Sequence, residues 1–321
     1  MRQRTHYIMS WLLGGLVFAG ATACSGDDDT KSTKETEKAP VENEVKVRRL
    51  TITEADGGAA EARQALTRAS LTEDDGLTAK WTAGDQLTYC NLSRMQYNGE
   101  EDVPVSGNLT ATTTAATSQF TGNVTCLKGD YLAVVYPAAT FTASNYTFSY
   151  TLPLTGQDGT LATLATRYHY VFGKALVTAV TDATADATMP KMKSLLTVCK
   201  FSFVNKDGGA VIPIKSLSIS YGGTGGDAGK YPQTATVSIG VNTAQDGVHA
   251  TGAAGSSEAL TVICPSVQDA VYVALLPTAE ARTFSFSVSD GSGSTYIGTA
   301  KAKLTEGEYV AATGLKLTKQ Q

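Results

Sequence analysis

Histidines, cysteines and charged side chains are scarce in this sequence, and their scarcity argues against several function classes. Its 321 residues include three histidines and five cysteines, and charged residues make up only 17% of the chain. So few histidines leave almost nothing for a histidine-rich metal site or for histidine-driven acid–base chemistry. Lysine and arginine number 26 against 30 acidic residues, so the composition offers no basic footprint for nucleic acid. We therefore predict a protein that is not an enzyme and uses no cofactor, metal or nucleic acid.

Long apolar runs are also missing. The mean hydropathy is −0.08, which excludes a polytopic membrane protein, and the apolar stretch at residues 11–19 is shorter than the roughly 20 residues that span a bilayer. Arg2 and Arg4 precede this stretch, and small residues at 21–23 follow it. A basic segment, a short apolar segment and small residues in that order are typical of a secretory signal peptide. We predict that residues 1–23 are this signal peptide.

Cys24 follows the small residues, at the position where bacterial lipoproteins carry an acylated cysteine. The segment resembles a lipobox, and the acidic run that follows looks like the tag that sends some Bacteroidetes lipoproteins to the outer face of the outer membrane. A solvated acidic linker is the alternative explanation for that run. We predict lipidation at Cys24 and a location at the cell surface, with residues 24–44 as a charged, disordered tether.

Four cysteines remain after lipidation, namely Cys90, Cys126, Cys199 and Cys264. An exported protein can form disulfides, but four cysteines allow three pairings, and the sequence does not choose among them. None of the four belongs to a Cys-x-x-Cys pair, which argues against a zinc site. Cys199 alternates with Phe201 and Phe203, so we expect its thiol to face a core as a small apolar group.

The body of the chain is predicted to be all-β. Apolar and polar residues alternate in many short runs, as in half-buried strands, and turn pairs such as Asn98-Gly99 separate the runs. Turn signals at about 8–12-residue spacing favour β-sandwiches, and the length fits two of them. We predict an N-terminal sandwich at residues 69–185 and a C-terminal sandwich at 186–321. The best helical candidate is the short segment 59–66.

Three motifs invite a functional interpretation that their context does not support. The glycine-rich loop at 222–230 lacks the spacing of a phosphate-binding loop and precedes a strand, so we predict a hairpin loop. Acidic runs at 27–29 and 73–75 lack the alternating ligand spacing of a calcium loop. His169 and His249 lie in a strand-like run and in a turn region, and no Gly-x-Ser-x-Gly elbow accompanies them.

Several motifs follow one another in an order that resembles the fimbrillins, the subunits of type V pili. The series begins with Val45-Lys46-Val47 through Ile52, then Thr67-Arg68-Ala69, then Trp81-Thr82-Ala83-Gly84-Asp85. It continues with Gly129-Asp130-Tyr131, Val135-Tyr136-Pro137, Leu152-Pro153 with Gln157, Leu275-Leu276-Pro277 and Gly307-Glu308-Tyr309. Their order, together with the lipoprotein leader, extends the resemblance over residues 24–321.

This resemblance implies two transthyretin-like β-sandwiches, export as a lipoprotein, and assembly with other pilin subunits into surface fimbriae. It also implies that an arginine-specific protease removes a first strand, which would be the segment 45–68. Arg68 is the predicted cleavage site, because Thr67-Arg68-Ala69 matches the family's pattern, and Arg63 is the second candidate. An exposed, weakly structured loop is where proteolysis concentrates.

The segment predicted to replace the removable strand lies at the other end of the chain. Its apolar residues are Val45, Val47, Leu50 and Ile52, and we expect a register change at Arg48-Arg49. Removing this strand would expose apolar core and unpaired backbone groups that a strand from a neighbour can fill. The predicted donor is the segment 309–318, in which Leu315 and Leu317 alternate with polar residues.

A surface lipoprotein that does not polymerise, and instead binds a glycan or host protein through its loop tips, is the alternative function. Tyrosine occurs 14 times and suits stacking on sugars, but sandwich cores also use tyrosine. Trp81 is the only tryptophan after the leader. We expect it to be buried in the N-terminal sandwich with its indole N–H hydrogen-bonded, whereas a sugar-stacking role would require an exposed ring.

Overall fold

The computed structural model describes residues 44–55, 70–73, 77–94, 106–144, 147–253 and 258–321. Within these ranges the chain forms 21 β-strands and only short helical turns, so the expected all-β fold class is confirmed. No helix in this part of the chain is long and apolar enough to cross a membrane. The helical candidate at 59–66 lies outside the described residues.

The strands are, in chain order, β1 (Lys46–Glu54), β2 (Ser70–Glu73), β3 (Leu77–Lys80), β4 (Gln86–Asn91), β5 (Ser106–Ala111), β6 (Gln119–Cys126), β7 (Tyr131–Tyr136), β8 (Thr142–Ser144), β9 (Thr147–Pro153), β10 (Val171–Val180), β11 (Thr184–Met189), β12 (Lys193–Ser194), β13 (Thr197–Asn205), β14 (Ile214–Tyr221), β15 (Thr234–Gly240), β16 (Ala250–Gly252), β17 (Leu260–Gln268), β18 (Val271–Leu275), β19 (Arg282–Ser289), β20 (Thr295–Ala302) and β21 (Tyr309–Lys319). The helical turns are Leu92–Arg94, Leu161–Thr163, Leu164–Tyr168 and Gln245–Gly247.

The first sheet closes on itself. Its order is β11-β1-β6-β5-β4-β7-β10-β12, and β10 also pairs with β11, so seven strands complete a ring and β12 adds to its side. The ring encloses an apolar core that includes Leu50, Ile52, Trp81, Phe120 and Met192. Because the ring is closed, β1 has a bonded neighbour on both sides and presents no free edge.

Two further sheets share a second core. A seven-stranded sheet has the order β17-β14-β19-β20-β21-β13-β18, and a four-stranded sheet has the order β16-β15-β9-β8. Phe148 and Val237 of the four-stranded sheet belong to the same buried cluster as Phe203 and Phe286 of the seven-stranded sheet. The small β2–β3 hairpin contributes Leu71 to this cluster. The chain therefore builds two sandwich- or barrel-like units.

The two halves of the chain interleave. β9 pairs with β15 along its whole length, so the β8–β9 hairpin of the first half completes a sheet of the second half. The first sheet runs to Ser194 and the seven-stranded sheet begins at Thr197, beyond the boundary expected at 185. The domain limits 69–185 and 186–321 stay predictions.

Gln157 forms hydrogen bonds between the first and second halves of the chain. Its side chain is buried, and Nε2 donates to the carbonyl oxygens of Leu154 and Ala274 at 2.9 and 3.0 Å, while Oε1 accepts from the Ala274 N–H at 2.8 Å. The Gly159 carbonyl accepts from the Tyr272 N–H at 2.9 Å. Gly159 has a φ of +79°, and a Cβ there would meet Val271 at 2.9 Å, so only glycine fits this approach. The segment after β9 thus serves as a neighbour for the edge of β18.

Candidate functional site

The strand predicted to be removable, β1, is a full member of the closed ring. It runs parallel to β11 over Arg49–Glu54 and antiparallel to β6 over Lys46–Thr53. The register with β6 is continuous across Arg48 and Arg49, so the expected register change is wrong. No bulge is needed because Arg48 itself points inward, in phase with the apolar residues that follow it.

The inward face of β1 consists of Arg48, Leu50, Ile52 and Glu54, which are 1%, 0%, 0% and 5% exposed. Val45 and Val47 are 44% and 62% exposed. Of the four apolar residues assigned to this strand, only Leu50 and Ile52 therefore face the core of the ring. Side chains alternate between the faces of a strand, so Val47 and Arg48 cannot both point inward. Two apolar residues with a charged residue on either side fill the ring at this strand.

Backbone carbonyls solvate the Arg48 guanidinium inside the ring. Nε donates to the Thr181 carbonyl at 2.7 Å, and a terminal nitrogen donates to the Cys126 carbonyl. A buried charge is tolerated only when its donors are hydrogen-bonded, which is why an arginine occupies an inward position here. Burial raises the pKa of the adjacent Cys126 thiol, and the positive charge of Arg48 opposes that shift.

Glu54 accepts hydrogen bonds from two buried donors at the other end of β1. Oε2 accepts from the Trp81 indole N–H and Oε1 from the Met192 backbone N–H, both at 3.1 Å. Trp81 is completely buried and packs edge-on against Phe120 and Tyr136, with ring centroids 4.9 and 5.4 Å away. The expected burial and hydrogen bond of Trp81 are confirmed. Its acceptor belongs to β1, and sequence reasoning did not identify Glu54.

Glu73, at the end of β2, is anchored on the seven-stranded sheet. Its carboxylate accepts from Lys200 Nζ at 2.9 and 2.7 Å and from the hydroxyls of Tyr272 and Tyr309. These contacts, that of Lys200 first, lower the pKa of Glu73 to about 2. Tyr309 opens β21, so the hairpin that follows the predicted cleavage segment is fixed beside the start of the predicted donor strand.

The predicted donor strand, β21, is bonded mainly on one side. It pairs with β13 from Tyr309 to Leu317, but with β20 only at Thr318 and Lys319. Leu317 is buried and Leu315 half-buried. The ladder with β13 shifts register next to Gly314, which has a φ of +67°. Most of one edge of β21 therefore lacks a strand partner among the described residues.

Lipidation at Cys24 and cleavage at Arg68 or Arg63 lie outside the described residues and stay predictions. In the ranges that the structure covers, no cluster of three or more histidine, cysteine or acidic side chains is placed to hold a metal ion. The four cysteines at 90, 126, 199 and 264 are buried free thiols. Cys199 faces the core as expected, and burial raises its pKa to about 12, so it acts as a packing group.

Comparison with known proteins shows the fold and no more. No protein-family model and no protein of curated function match the chain. A solved structure from Bacteroides uniformis ATCC 8492, named as a cell adhesion protein, aligns over 88% of this chain and 98% of its own, with 15% identity and a TM-score of 0.50. This likeness establishes a shared fold.

Two other solved structures align less well. A protein from Bacteroides ovatus ATCC 8483, also named for cell adhesion, covers 87% of this chain and 97% of its own at 12% identity, with a TM-score of 0.48. A shaft pilin from Lactobacillus rhamnosus GG covers 86% and 99% at 12% identity, with a TM-score of 0.32.

Proposed function

We propose that this protein is a structural or accessory subunit of surface fimbriae, and that its subunits join by exchange of a strand. The observation that carries the proposal is a match between two of its own strands. The inward face of β1 has one polar pattern, and β21 repeats that pattern when it is read from its C-terminal end. The fold shared with a protein named for cell adhesion and the resemblance to fimbrillins agree with this role.

The match comprises four alternating positions. On β1 the inward residues are a cation, two apolar residues and an acceptor, namely Arg48, Leu50, Ile52 and Glu54. Read backwards, β21 offers a cation, two leucines and a hydroxyl at the same spacing, namely Lys319, Leu317, Leu315 and Thr313. A forward reading of β21 would have to start from the cation Lys316. The next two residues at this spacing are Thr318 and Gln320, which are polar, whereas the pattern needs two apolar residues there. Only the reversed strand fits the ring.

A donor strand seated in this way meets the groups that β1 leaves behind. Lys319 lies where Arg48 was and donates to the carbonyls of Thr181 and Cys126. Thr313 brings a hydroxyl to the end where Trp81 needs an acceptor. The donor then runs antiparallel to β11 and parallel to β6, the opposite of β1, and both pairings are ordinary β ladders.

Gly314 makes the transfer sterically possible. In the subunit's own sheet it adopts a φ of +67° where the ladder shifts register, and that shift changes which residues share a face. Seating β21 in the ring requires a straight strand from 313 to 319. Glycine adopts positive and negative φ with similar ease, so the same segment fits both places.

Cleavage after Arg68 starts the exchange. The cut separates β1, and the lipid predicted at Cys24, from the rest of the chain. Loss of β1 opens the ring and leaves the facing edges of β6 and β11 without a partner, which a second copy of β21 can pair with. Because the donating and accepting surfaces differ, the contact is head-to-tail and extends into a filament.

Protease treatment of the full chain tests assembly. We expect SDS-resistant ladders after treatment with an arginine-specific protease, and assembled chains that begin at Ala69. Arg68→Ala should abolish the ladders and Arg63→Ala should not. Assembled chains that still begin at Cys24 would contradict the proposal and favour the alternative, a surface lipoprotein adhesin that does not polymerise.

A matched pair of charge reversals tests the donor. Lys319 and Lys316 are both exposed, but only Lys319 falls in the four-position pattern. Lys319→Glu places a carboxylate against backbone carbonyls, so we expect ladder formation to fall at least tenfold, whereas Lys316→Glu should assemble normally. Equal loss in both variants would show that net charge, and not the pattern, governs assembly.

A further inference from the structure

A cavity of about 510 Å³ lies where the β8–β9 hairpin opens, and strand exchange does not use it. Its volume falls in the range of about 300–1,000 Å³ that is typical of small-molecule sites. The lining combines hydroxyls with one cation and two tyrosines, and its polar members are Thr140, Thr142, Ser149, Tyr150, Thr151, Thr166, Arg167 and Tyr170. We call this cavity the hydroxyl cleft.

The hydroxyl cleft lies where β8 and β9 stop pairing with each other. The β8–β9 ladder begins at the pair Thr142 and Ser149, whereas β9 continues to Pro153 along β15. Leu154 N–H donates to the Gln233 carbonyl at 2.9 Å. Backbone groups alternate sides along an antiparallel strand, so those of Thr151 point away from β15, toward the cleft.

Two polar side chains of the cleft have no partner among the described residues. Arg167 is exposed, and no ion pair joins it to an acidic side chain of the described residues. The Tyr150 hydroxyl is buried and has no hydrogen-bond partner there. Tyr170, by contrast, is satisfied, because its hydroxyl donates to the Pro153 carbonyl at 2.9 Å. The cleft therefore offers a cation without a partner in the described part of the chain, beside exposed threonines such as Thr142 and Thr151.

A second cavity in the described part of the chain does not have this character. It holds about 370 Å³ beside Tyr221 and Arg282. Arg282 already pairs with Asp227 at 3.1 Å and covers the Tyr221 ring at 3.6 Å from its centroid. Its cation and its aromatic face are both occupied, so it serves as a control site.

We propose that the hydroxyl cleft binds a carboxylate-bearing sugar, such as the uronic or sialic acid of a surface glycan. The Arg167 guanidinium pairs with the carboxylate, and this geometry is favourable because the planar fork can donate two parallel hydrogen bonds. The threonine hydroxyls and the Thr151 backbone bind the hydroxyls of the sugar. This site is separate from the ring, and its function does not depend on strand exchange.

A peptide strand suits the cleft less well than a sugar does. Strand addition needs a row of free N–H and C=O groups. Thr151 alone offers both here, because Pro153 has no N–H and its carbonyl already accepts from Tyr170. One residue is too short for a ladder, whereas scattered hydroxyls match the scattered polar groups of a sugar ring.

Titration of the purified full chain tests the site, with ligand contacts followed by saturation-transfer NMR. Glucuronic acid and glucose differ only in the carboxylate, and N-acetylneuraminic acid represents the sialic acid source. We expect both acids to bind and glucose to bind at least tenfold more weakly. Arg167→Gln should weaken the acids about 10- to 100-fold, as expected for loss of a charge-assisted pair, and Arg282→Gln should not.

The controls separate this site from the other interpretations. Unchanged thermal unfolding of Arg167→Gln shows that the fold is intact, and unchanged ladder formation keeps this test apart from that of assembly. Equal affinity for glucose and glucuronic acid, no binding of either acid, or loss of binding only in Arg282→Gln would overturn the proposal. So would binding of an acidic peptide that displaces glucuronic acid.

Discussion

Replacing Glu54 by alanine tests whether β1 is held in the ring by its polar ends. The substitution removes the acceptor of the Trp81 indole N–H and of the Met192 backbone N–H, both bonded at 3.1 Å. Trp81 is fully buried, so its indole N–H has no contact with bulk water when the carboxylate is removed. A buried donor that loses its acceptor costs about 1–3 kcal/mol, so we expect the free energy of unfolding to fall by about 2–6 kcal/mol.

Urea unfolding monitored by Trp81 fluorescence measures this change, in a Trp11→Phe background so that one tryptophan reports. Thr53→Ala is the matched control, because Thr53 is the exposed neighbour of Glu54 on the same strand, and we expect a change within about 0.5 kcal/mol. Glu54→Gln keeps one carbonyl acceptor and should lie between the two. Identical unfolding midpoints for Glu54→Ala and Thr53→Ala would refute the reasoning.

The same variant makes a prediction about assembly. Once the chain is cut, only noncovalent contacts keep β1 in the ring, so Glu54→Ala should release the strand faster than wild type. Release should shift Trp81 emission to longer wavelength, because the indole loses its acceptor and part of its cover. Retention of the β1 fragment for equal times in both proteins would contradict this role of Glu54.

Three further predictions concern other parts of the chain. Glu73 has a pKa lowered to about 2 from a usual 4.5, so its contribution to stability is present above about pH 4.5 and is lost as the pH falls toward 2; Glu73→Gln should flatten this part of the stability-versus-pH curve. Gln157→Ala leaves the backbone N–H and C=O of Ala274 unpaired, and the free energy of unfolding measured in urea should fall by about 1–3 kcal/mol. Cys24→Ala should abolish labelling by a palmitate analogue. Equal labelling of the wild type and the variant would exclude lipidation at Cys24.

Period-2 alternation predicted the fold class because most strands have one buried face, and it failed at β1 for the same physical reason. Arg48 and Glu54 occupy inward positions, whereas hydrophobicity alone favours Val47 over Arg48 as the inward residue. What reverses the assignment is a set of backbone carbonyls and N–H groups supplied by distant parts of the chain, such as Thr181 and Met192. The residues around Arg48 and Glu54 in the sequence do not predict these hydrogen-bond partners.

The hydroxyl cleft and the Gln157 contacts were beyond sequence reasoning because both depend on pairings between distant segments. Gln157 was recognised only as part of a motif, although its side chain bonds Ala274, which lies far along the chain. Pairing of β9 with β15 separates the β8–β9 hairpin from the ring and opens the cleft beside it. Trp81 was easier to predict, since a lone large aromatic residue before a strand most simply fills a core.

The difference between Glu54 and Thr313 explains why assembly should wait for cleavage. β1 brings a carboxylate to Trp81 and Met192, whereas β21 brings only a hydroxyl, so the resident strand has the stronger polar contacts at that end. A strand tethered to its own ring also acts at an effective concentration on the order of millimolar, which a strand from another copy does not match. The cut removes this tether, and both strands then compete as separate chains. Under those conditions β21 competes with a strand that has lost its tether, so proteolysis and not affinity sets the moment of exchange.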